Sequence, residues 1–183
     1  MKVEIVELTG ENLNDAPEWG SHPFSCKWCL YWEEPELPVD PKRGKEEELF
    51  RKKLAWLKRV RNEFGECGKL LYVDQRAVGY AQYAPARLLP NAGSYPAGPA
   101  SGDAVLISCL FIAQEEYRRR GLGSLLLEGI LAELRGRGIA AVETFARRGG
   151  GENPSGPVGL YLKHGFHVFR NDEEFPLMRL VLK

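Results

Sequence analysis

The sequence predicts an α/β protein in which one mixed sheet carries helices on both faces. Short apolar runs typical of strands alternate along the chain with amphipathic helical patterns, which favours a layered α/β architecture. Residues 103–113, DAVLISCLFIA, are apolar on both faces, as expected of a central strand. The chain has 183 residues, no internal repeat and no linker, so we expect one domain, 1–183, with a substantial core.

The first half of the chain is expected to contain one strand, one long helix and one hairpin. Residues 2–8 alternate apolar and charged side chains, which predicts a strand. Residues 44–64 repeat apolar side chains every three or four positions, which predicts a helix. Residues 68–85 contain two apolar runs split at 74–76, which indicates a hairpin, whereas 9–43 show no clear pattern. The expected inner face of the helix carries Phe50, Leu54, Leu57, Val60 and Phe64.

The second half continues with a loop, two helices and three further strands. Residues 85–102 are rich in proline and glycine and are predicted to form a loop. A leucine-rich helix is expected at 121–137, a strand at 139–146, a short helix within 158–166 and two last strands between 167 and 182. The expected buried face of the leucine-rich helix carries Leu122, Leu125, Leu126, Ile130, Leu131 and Leu134.

The charge balance and the hydropathy pattern exclude several classes of protein. Lys plus Arg number 25 and Asp plus Glu number 25, so no net field attracts nucleic acid or an anionic membrane. No apolar run approaches the length of a membrane span, and the N-terminal residues lack the apolar core of a signal peptide. We therefore expect a cytoplasmic protein without nucleic-acid or membrane partners, whose four cysteines are thiols.

Residues 115–134, EEYRRRGLGSLLLEGILAEL, place three arginines and two glycines at the start of the leucine-rich helix. The first N–H groups of a helix lack internal partners, and the helix dipole adds positive charge there. Gly121 and Gly123 leave those groups open to close approach, and the arginines can add charge-assisted bonds. Together these features predict a pocket for a phosphate or a pyrophosphate.

Three other interpretations of this stretch compete with an anion-binding pocket. A P-loop needs Lys followed by Ser or Thr, whereas Ser124 is followed here by leucines, so a P-loop is excluded. A dinucleotide fingerprint needs a third small residue where Leu126 stands, but Glu143 matches its ribose ligand at about twenty residues further on, so it stays as a rival. An ordinary solvated arginine run is the third alternative.

The pattern Arg118-x-x-Gly121-x-Gly123, between an apolar strand and a leucine-rich helix, resembles the coenzyme A loop of the GNAT superfamily of acetyl-CoA-dependent N-acetyltransferases. The segment GLYLKHGF, residues 159–166, resembles the Leu-Tyr-x-x-x-Gly-Phe segment that follows later in that family. The resemblance covers residues 70–183 well. It implies a GNAT-like fold with a mostly antiparallel mixed sheet, and acetyl-CoA as co-substrate.

The resemblance also implies where acetyl-CoA would bind. Its pyrophosphate would lie on the N–H groups of 119–124, and its pantetheine arm would pair like an added strand with the backbone near 110–112. The family usually has a proline two residues before the loop tyrosine, and 114–116 replace it here, so the register of the pairing is left open by one residue. The implied cofactor-binding residues are Leu110, Phe111, Ile112, Arg118, Arg119, Arg120, Gly121, Leu122, Gly123 and Ser124.

Acetyl transfer to an amine needs a proton acceptor for the amine and a proton donor for the leaving thiolate. The resemblance implies that Tyr161 is the donor; packing of its ring in the core is the alternative. Glu143, in the strand after the cofactor helix, is the candidate base, since Val142 and Thr144 point the opposite way. A relay through ordered water and a salt-bridged Glu143 are the alternatives.

The stretch CKWCLYWEE, residues 26–34, combines two cysteines with aromatic and acidic side chains. Cys26 and Cys29 could form half of a zinc site with His22 as a third ligand, but a closed site needs four ligands, so we expect no metal. Aromatic faces and carboxylates suit a cationic amine, so this stretch is predicted to wall the acceptor site; a hydrophobic lid is the alternative. The predicted acceptor-binding residues are Trp28, Tyr31, Trp32 and Glu33.

These patterns predict an N-acetyltransferase that moves an acetyl group directly from acetyl-CoA to a primary amine of a small molecule or a peptide. The first alternative is a non-catalytic module that binds acetyl-CoA or CoA, and the second is a dinucleotide-dependent reductase. The sequence does not single out the acceptor, and a homodimer is left open.

Overall fold

The computed structural model describes residues 1–18, 25–37, 45–150 and 153–183. They form a seven-stranded sheet in the order β1-β2-β3-β4-β5-β7-β6, in which β4 and β5 pair in parallel and the other neighbours pair antiparallel. The elements are β1 (Val3–Glu7), α1 (Glu46–Glu63), β2 (Gly68–Val73), β3 (Arg76–Pro85), β4 (Ala104–Ile112), α2 (Leu122–Gly136), β5 (Ala141–Phe145), α3 (Val158–Lys163), β6 (His167–Arg170) and β7 (Leu177–Val181). The predicted mixed α/β sheet is confirmed.

The hairpin of β2 and β3 shows how the local sequence sets the register. Asp74 and Gln75 connect the strands, and both have positive φ angles, 47° and 70°. A two-residue turn with this geometry follows the right-handed twist of the flanking strands, so it joins them without splaying them.

The helices cover opposite faces of the sheet, as predicted. One core cluster joins α1 to one face, which we call the α1 face, and a second joins α2 and α3 to the other, the α2 face. None of the helices in the described ranges has the length and apolar character that crossing a bilayer requires. The α1 face includes Trp56, Tyr80, Cys109, Phe111 and Phe145, and the α2 face includes Leu110, Ile112, Leu126, Val142 and Tyr161.

The buried faces of the two long helices differ from the prediction in detail. In α1, Phe50 and Leu54 are only partly buried, because the helix turns Lys53 inward, where it pairs with the Glu33 carboxylate. In α2, Leu125 is 41% exposed and Leu127 is buried in its place. The residues that α1 buries are Leu49, Lys53, Trp56, Leu57 and Val60.

The sheet opens beside the second half of β4. The register of β4 with β5 runs from Ala104–Ala141 to Leu106–Glu143, while β4 itself continues to Ile112. Backbone groups of β4 beyond Leu106 therefore lie beside an opening between two parallel strands, and this opening positions the site described next.

Candidate active site

A cleft of about 510 Å³ lies where the end of β4 meets the first turn of α2 and the start of α3. Of the predicted cofactor-binding residues, Arg120 and Leu122 do not line it: the first is exposed and the second is buried in the core. Those that line it are Leu110, Phe111, Ile112, Arg118, Arg119, Gly121, Gly123 and Ser124.

Two cations that the sequence analysis did not single out, Arg147 and Lys163, also line the cleft. Arg147 follows β5 and Lys163 ends α3, so both reach the cleft from elements that are distant in sequence from the arginine run. Their only sequence signal is proximity to the predicted strand and to Tyr161. Arg147 also pairs with Glu174, and the positive charges of Arg147 and Lys163 suit an anionic ligand.

The first turn of α2 opens into this cleft. Gly121 has a φ of 80°, in the left-handed region that favours glycine, and α2 has no side-chain cap. A Cβ at Gly121 would meet nothing within 4 Å, and one at Gly123 would lie 3.9 Å from Leu160 Cδ2. The uncapped N–H groups thus face free space, which fits a phosphate or pyrophosphate group.

Arg118 fixes the end of β4. Its guanidinium donates hydrogen bonds to the carbonyl oxygens of Ile112, at 3.0 Å, and Ala113, at 2.8 Å. Arg118 therefore orients the connection between β4 and α2 as well as lining the cleft. Arg119 and Arg120 next to it are exposed.

Residues 153–156, which we call the inner loop, bound the cleft beside β4. The N–H of Leu110 donates to the carbonyl oxygen of Pro154 at 2.6 Å. The hydroxyl of Tyr161 donates to the carbonyl oxygen of Ser155 at 2.7 Å. The inner loop therefore occupies one backbone donor of β4 and the hydroxyl of the predicted proton donor.

Tyr161 is fully buried on α3, and its ring meets Phe166 edge-on with centroids 5.2 Å apart. Burial raises the pKa of Tyr161 above its usual 10.0, against a smaller opposing effect of a hydrogen bond with Thr144, so the phenol is protonated at neutral pH. The residue thus holds a proton beside the cleft and also packs in the core. Its role as donor stays a prediction.

Glu143 is completely buried on β5, and both of its carboxylate oxygens are occupied. Oε1 accepts hydrogen bonds from Ser101 Oγ and Arg179 Nη1, both at 2.7 Å, and Oε2 accepts one from the Ser101 N–H at 2.7 Å. Arg179 also pairs with Asp103 at 2.7 Å. Glu143 is therefore salt-bridged, and a base role for Glu143, which stays a prediction, requires one of these bonds to open.

The segment 25–37 covers the α1 face through aromatic rings. Trp32 is buried and stacks on Tyr95 with ring centroids 5.3 Å apart, and Tyr95 stacks on Phe145 at 4.4 Å. Tyr31 meets Trp32 edge-on at 5.3 Å, and its hydroxyl lies 3.1 Å from that of Tyr95. The predicted acceptor residues Tyr31 and Trp32 therefore belong to one stack that reaches β5.

Glu33 points from this segment into a buried polar cluster, which we define as Glu33, Lys53, Tyr80 and Gln82. Lys53 Nζ pairs with Glu33 Oε1, with the two side chains 4% and 2% exposed. Gln82 Nε2 donates to the same oxygen at 2.9 Å, and Gln82 Oε1 accepts from Lys53 at 2.6 Å and from the Tyr80 hydroxyl at 2.7 Å. Burial acts to lower the pKa of Lys53, but the Glu33 carboxylate and nearby thiols outweigh it and raise the pKa above 10.5.

Three cysteines lie near the polar cluster as free thiols: Cys26, Cys29 and Cys109. A hydrogen bond between Cys26 and Cys109 raises the pKa of the first and lowers the pKa of the second, and burial raises the pKa of Cys29 to about 12. Trp28, between the first two in sequence, is half-buried beside Lys27, 4.9 Å from its ring. In the described ranges no group of three or more His, Cys, Asp or Glu is arranged to hold a metal, and His22 lies outside those ranges.

The opened sheet thus places an uncapped helix start beside arginine side chains, an arrangement that suits an anionic ligand. The family model described as the acetyltransferase (GNAT) family matches residues 28–166, and the chain therefore belongs to this family of acyltransferases. No curated protein sequence matches the chain.

Solved structures agree with the family in fold. An N-acetyltransferase from Staphylococcus aureus Mu50 has a TM-score of 0.61 at 15% identity and covers 100% of both chains. The PaiA N-acetyltransferase from Thermoplasma acidophilum, solved with coenzyme A, has a TM-score of 0.56 at 18% identity and covers 99% of both. The ribosomal-protein-S18-alanine N-acetyltransferase from Escherichia coli has a TM-score of 0.54 at 17% identity and covers 100% of this chain and 95% of its own. At these identities the similarity establishes the fold.

Proposed function

We propose that this acyltransferase moves an acetyl group from acetyl-CoA to a primary amine of a small molecule or a peptide, by direct attack of the amine on the thioester. The observation that carries the proposal is the cleft, in which the uncapped first turn of α2 lies beside arginine side chains and the open edge of β4. Such a cleft suits a ligand with a pyrophosphate and an amide-containing arm.

For acetyl-CoA, we assign the pyrophosphate to the N–H groups of 119–124, with Arg147 and Lys163 supplying further charge. The pantetheine arm pairs with the backbone of β4 within 110–112. Because the N–H of Leu110 is bonded to the inner loop in the structure, the arm either displaces that loop or pairs farther along β4.

In the reaction, the carbon–nitrogen bond forms as the carbon–sulfur bond breaks, and the leaving thiolate takes a proton. We assign this proton to the buried Tyr161 hydroxyl, which returns to its starting state by taking a proton from solvent. Its position on α3, whose Leu160 and Lys163 line the cleft, supports the assignment.

We further propose that residues 1–183 form one acetyltransferase domain that works in the cytoplasm. Elements from β1 to β7 contribute to a single sheet. The free thiols of Cys26, Cys29, Cys67 and Cys109 suit a reducing compartment.

Two measurements test the proposal. Acetyl-CoA, and not NADH, should raise the melting temperature, because a ligand that binds only the folded state stabilises it. Thiol release from acetyl-CoA should depend on an added amine, screened over polyamines, amino acids, aminoglycosides and peptide N-termini. Stabilisation by NADH alone would favour the reductase, and stabilisation by acetyl-CoA without turnover of any amine would favour the non-catalytic module.

A further inference from the structure

The Glu33 carboxylate is buried with one oxygen bonded and the other free. Oε1 accepts hydrogen bonds from Lys53 and Gln82, whereas Oε2 is enclosed and has no hydrogen-bond partner among the residues that the structure describes. Buried carboxylate oxygens in folded proteins nearly always have a donor, because leaving one without a partner is costly. A donor from outside the chain is therefore expected at this oxygen.

The surrounding side chains hold Glu33 in this state. The amide of Gln82 and the ammonium of Lys53 both bind Oε1, and the Gln82 carbonyl is in turn bound by Lys53 and by the Tyr80 hydroxyl. Each of these donors is directed to an oxygen other than Oε2. The cluster thus fixes the carboxylate and leaves a single atom available to a ligand.

The polar cluster lies on the α1 face of the sheet, next to the part of β4 that lines the cleft. Gln82 is the register partner of Cys109 on β4, and the next two residues of that strand, Leu110 and Phe111, line the cleft. The cluster is on the α1 face, whereas α2 and α3 bound the cleft from the other face. Because β4 loses its pairing with β5 beyond Leu106, a donor on the α2 face and an acceptor on the α1 face can meet through the opening.

We propose that Glu33 Oε2 binds the amine of the acceptor and takes its proton as the nitrogen attacks the thioester carbonyl, and that Lys53 and Gln82 are positioning residues that hold Oε1. In this step the new carbon–nitrogen bond forms, the carbon–sulfur bond breaks, and the proton passes from nitrogen to Oε2. The inference rests on the proposed function and names the residue that receives the proton, together with the kind of amine it accepts.

The charges of the cluster select the acceptor. A desolvated carboxylate oxygen beneath aromatic cover accommodates the compact head of an unbranched primary amine better than a secondary or branched one. Because Lys53 already balances the charge of the Glu33 carboxylate, the pair holds a bound ammonium less strongly than a lone carboxylate would, which favours the neutral, nucleophilic amine. Glu143, by contrast, has both oxygens occupied by protein donors.

The inference is tested against a purely structural ion pair by a charge-balanced variant. Glu33→Gln alone leaves Lys53 buried and unpaired, which destabilises a protein whatever Glu33 does. Glu33→Gln combined with Lys53→Met removes both charges, and such neutral replacements of a buried pair are often tolerated. The matched control is Glu4→Gln with Lys2→Met, since this pair at the start of β1 has the same chemistry at 2.5 Å, lies outside the segment 25–37, and has side chains that are 46% and 77% exposed.

We expect both double variants to fold and to bind acetyl-CoA within about twofold of wild type. The Glu33→Gln/Lys53→Met variant should lose about 10² to 10⁴-fold in kcat/KM for a linear primary amine and lose the acidic limb of the pH profile, as removal of a general base does. The control should keep both. A charge-balanced variant with wild-type amine kinetics overturns the inference, and so does an equal loss of acetyl-CoA binding.

A second variant covers the case in which the double variant does not fold. Glu33→Asp keeps the charge opposite Lys53 but withdraws the carboxylate by one methylene, so kcat for the amine should fall while the Kd of acetyl-CoA stays unchanged. Unchanged kcat overturns the inference. If the wild type acetylates no amine, the proposed function fails and this inference fails with it; if it acetylates an amine and Glu33 variants do so equally well, only this inference fails.

Discussion

Adding one methyl group at Gly123 should make the protein more stable and weaken its binding of acetyl-CoA. Gly123 is the second residue of α2 and has no positive φ, so alanine fits its backbone. The new Cβ would lie 3.9 Å from Leu160 Cδ2, an ordinary contact, on the side that lines the cleft. Gly123→Ala therefore places an obstacle in front of the helix N–H groups without straining the fold.

The two effects have separate magnitudes. Glycine to alanine in a helix stabilises by about 0.5–1 kcal/mol. For a chain of this size the gain corresponds to about 1–4 °C in Tm. Keeping a phosphate oxygen from one N–H group costs about 1.5–3 kcal/mol, the worth of a hydrogen bond to a charged group. That loss is about a 10- to 150-fold rise in the Kd of acetyl-CoA.

The control is the same substitution at the other end of the same helix. Gly136 is exposed and a Cβ there would meet nothing within 4 Å, so Gly136→Ala should raise Tm similarly and leave binding unchanged. Thermal unfolding of the free protein and calorimetric titration with acetyl-CoA measure the two quantities. Wild-type affinity in Gly123→Ala would refute the placement of the pyrophosphate, and an equal loss in both variants would show an effect of helix stability rather than of contact.

Three further outcomes are expected. Tyr161→Phe should lower kcat by about 10² to 10⁴-fold with little change in KM for acetyl-CoA; a fall of less than about threefold, with chemistry rate-limiting, would leave Tyr161 only its packing role. Because burial raises the pKa of Tyr161 above 10.0, its contribution to stability is complete below that pH and is lost as the pH rises further. When unfolding by urea is measured between pH 9 and 11, the free energy of unfolding should therefore fall less with pH in Tyr161→Phe than in the wild type. Asn153 Oδ1 accepts the N–H and hydroxyl of Ser155 at 2.9 and 2.6 Å, so Asn153→Ala should loosen the inner loop and speed the association of acetyl-CoA in stopped-flow measurements; an unchanged rate would mean that the loop does not obstruct entry.

Features set by neighbouring residues were predictable from the sequence. The apolar run that became β4, the Asp74–Gln75 turn and the glycines at the start of α2 each carry a local signal, because strand burial, turn geometry and helix starts depend on a few consecutive residues. The end of β4 and the start of α2 both line the cleft, so its position depends on elements that have a local sequence signal. Arg147 and Lys163 could not be placed in it, because their positions depend on how β5 and α3 dock against α2.

The polar cluster could not be predicted from sequence patterns either, because its members come from segments that are distant in sequence. Periodicity alone assigned Phe50 and Leu54 to the inner face of α1 and did not include Lys53 in it. The partner that allows Lys53 to be buried, Glu33, is twenty residues away and comes from a segment without periodicity. A buried lysine is favourable only once its partner is in place, so no local rule could have identified it.

Two buried carboxylates flank the opening of the sheet, and their hydrogen bonds separate their roles. Glu143 faces a guanidinium, a hydroxyl and a backbone N–H, which together satisfy both of its oxygens and tie β5 to β7 through Arg179. Glu33 is equally enclosed, yet its donors all converge on one oxygen. A carboxylate that only joined the covering segment to α1 would gain by sharing its donors between both oxygens, as Glu143 does. Among the described residues, the uneven arrangement at Glu33 leaves Oε2 without a donor, and for that reason we propose the base on the segment 25–37 rather than on β5.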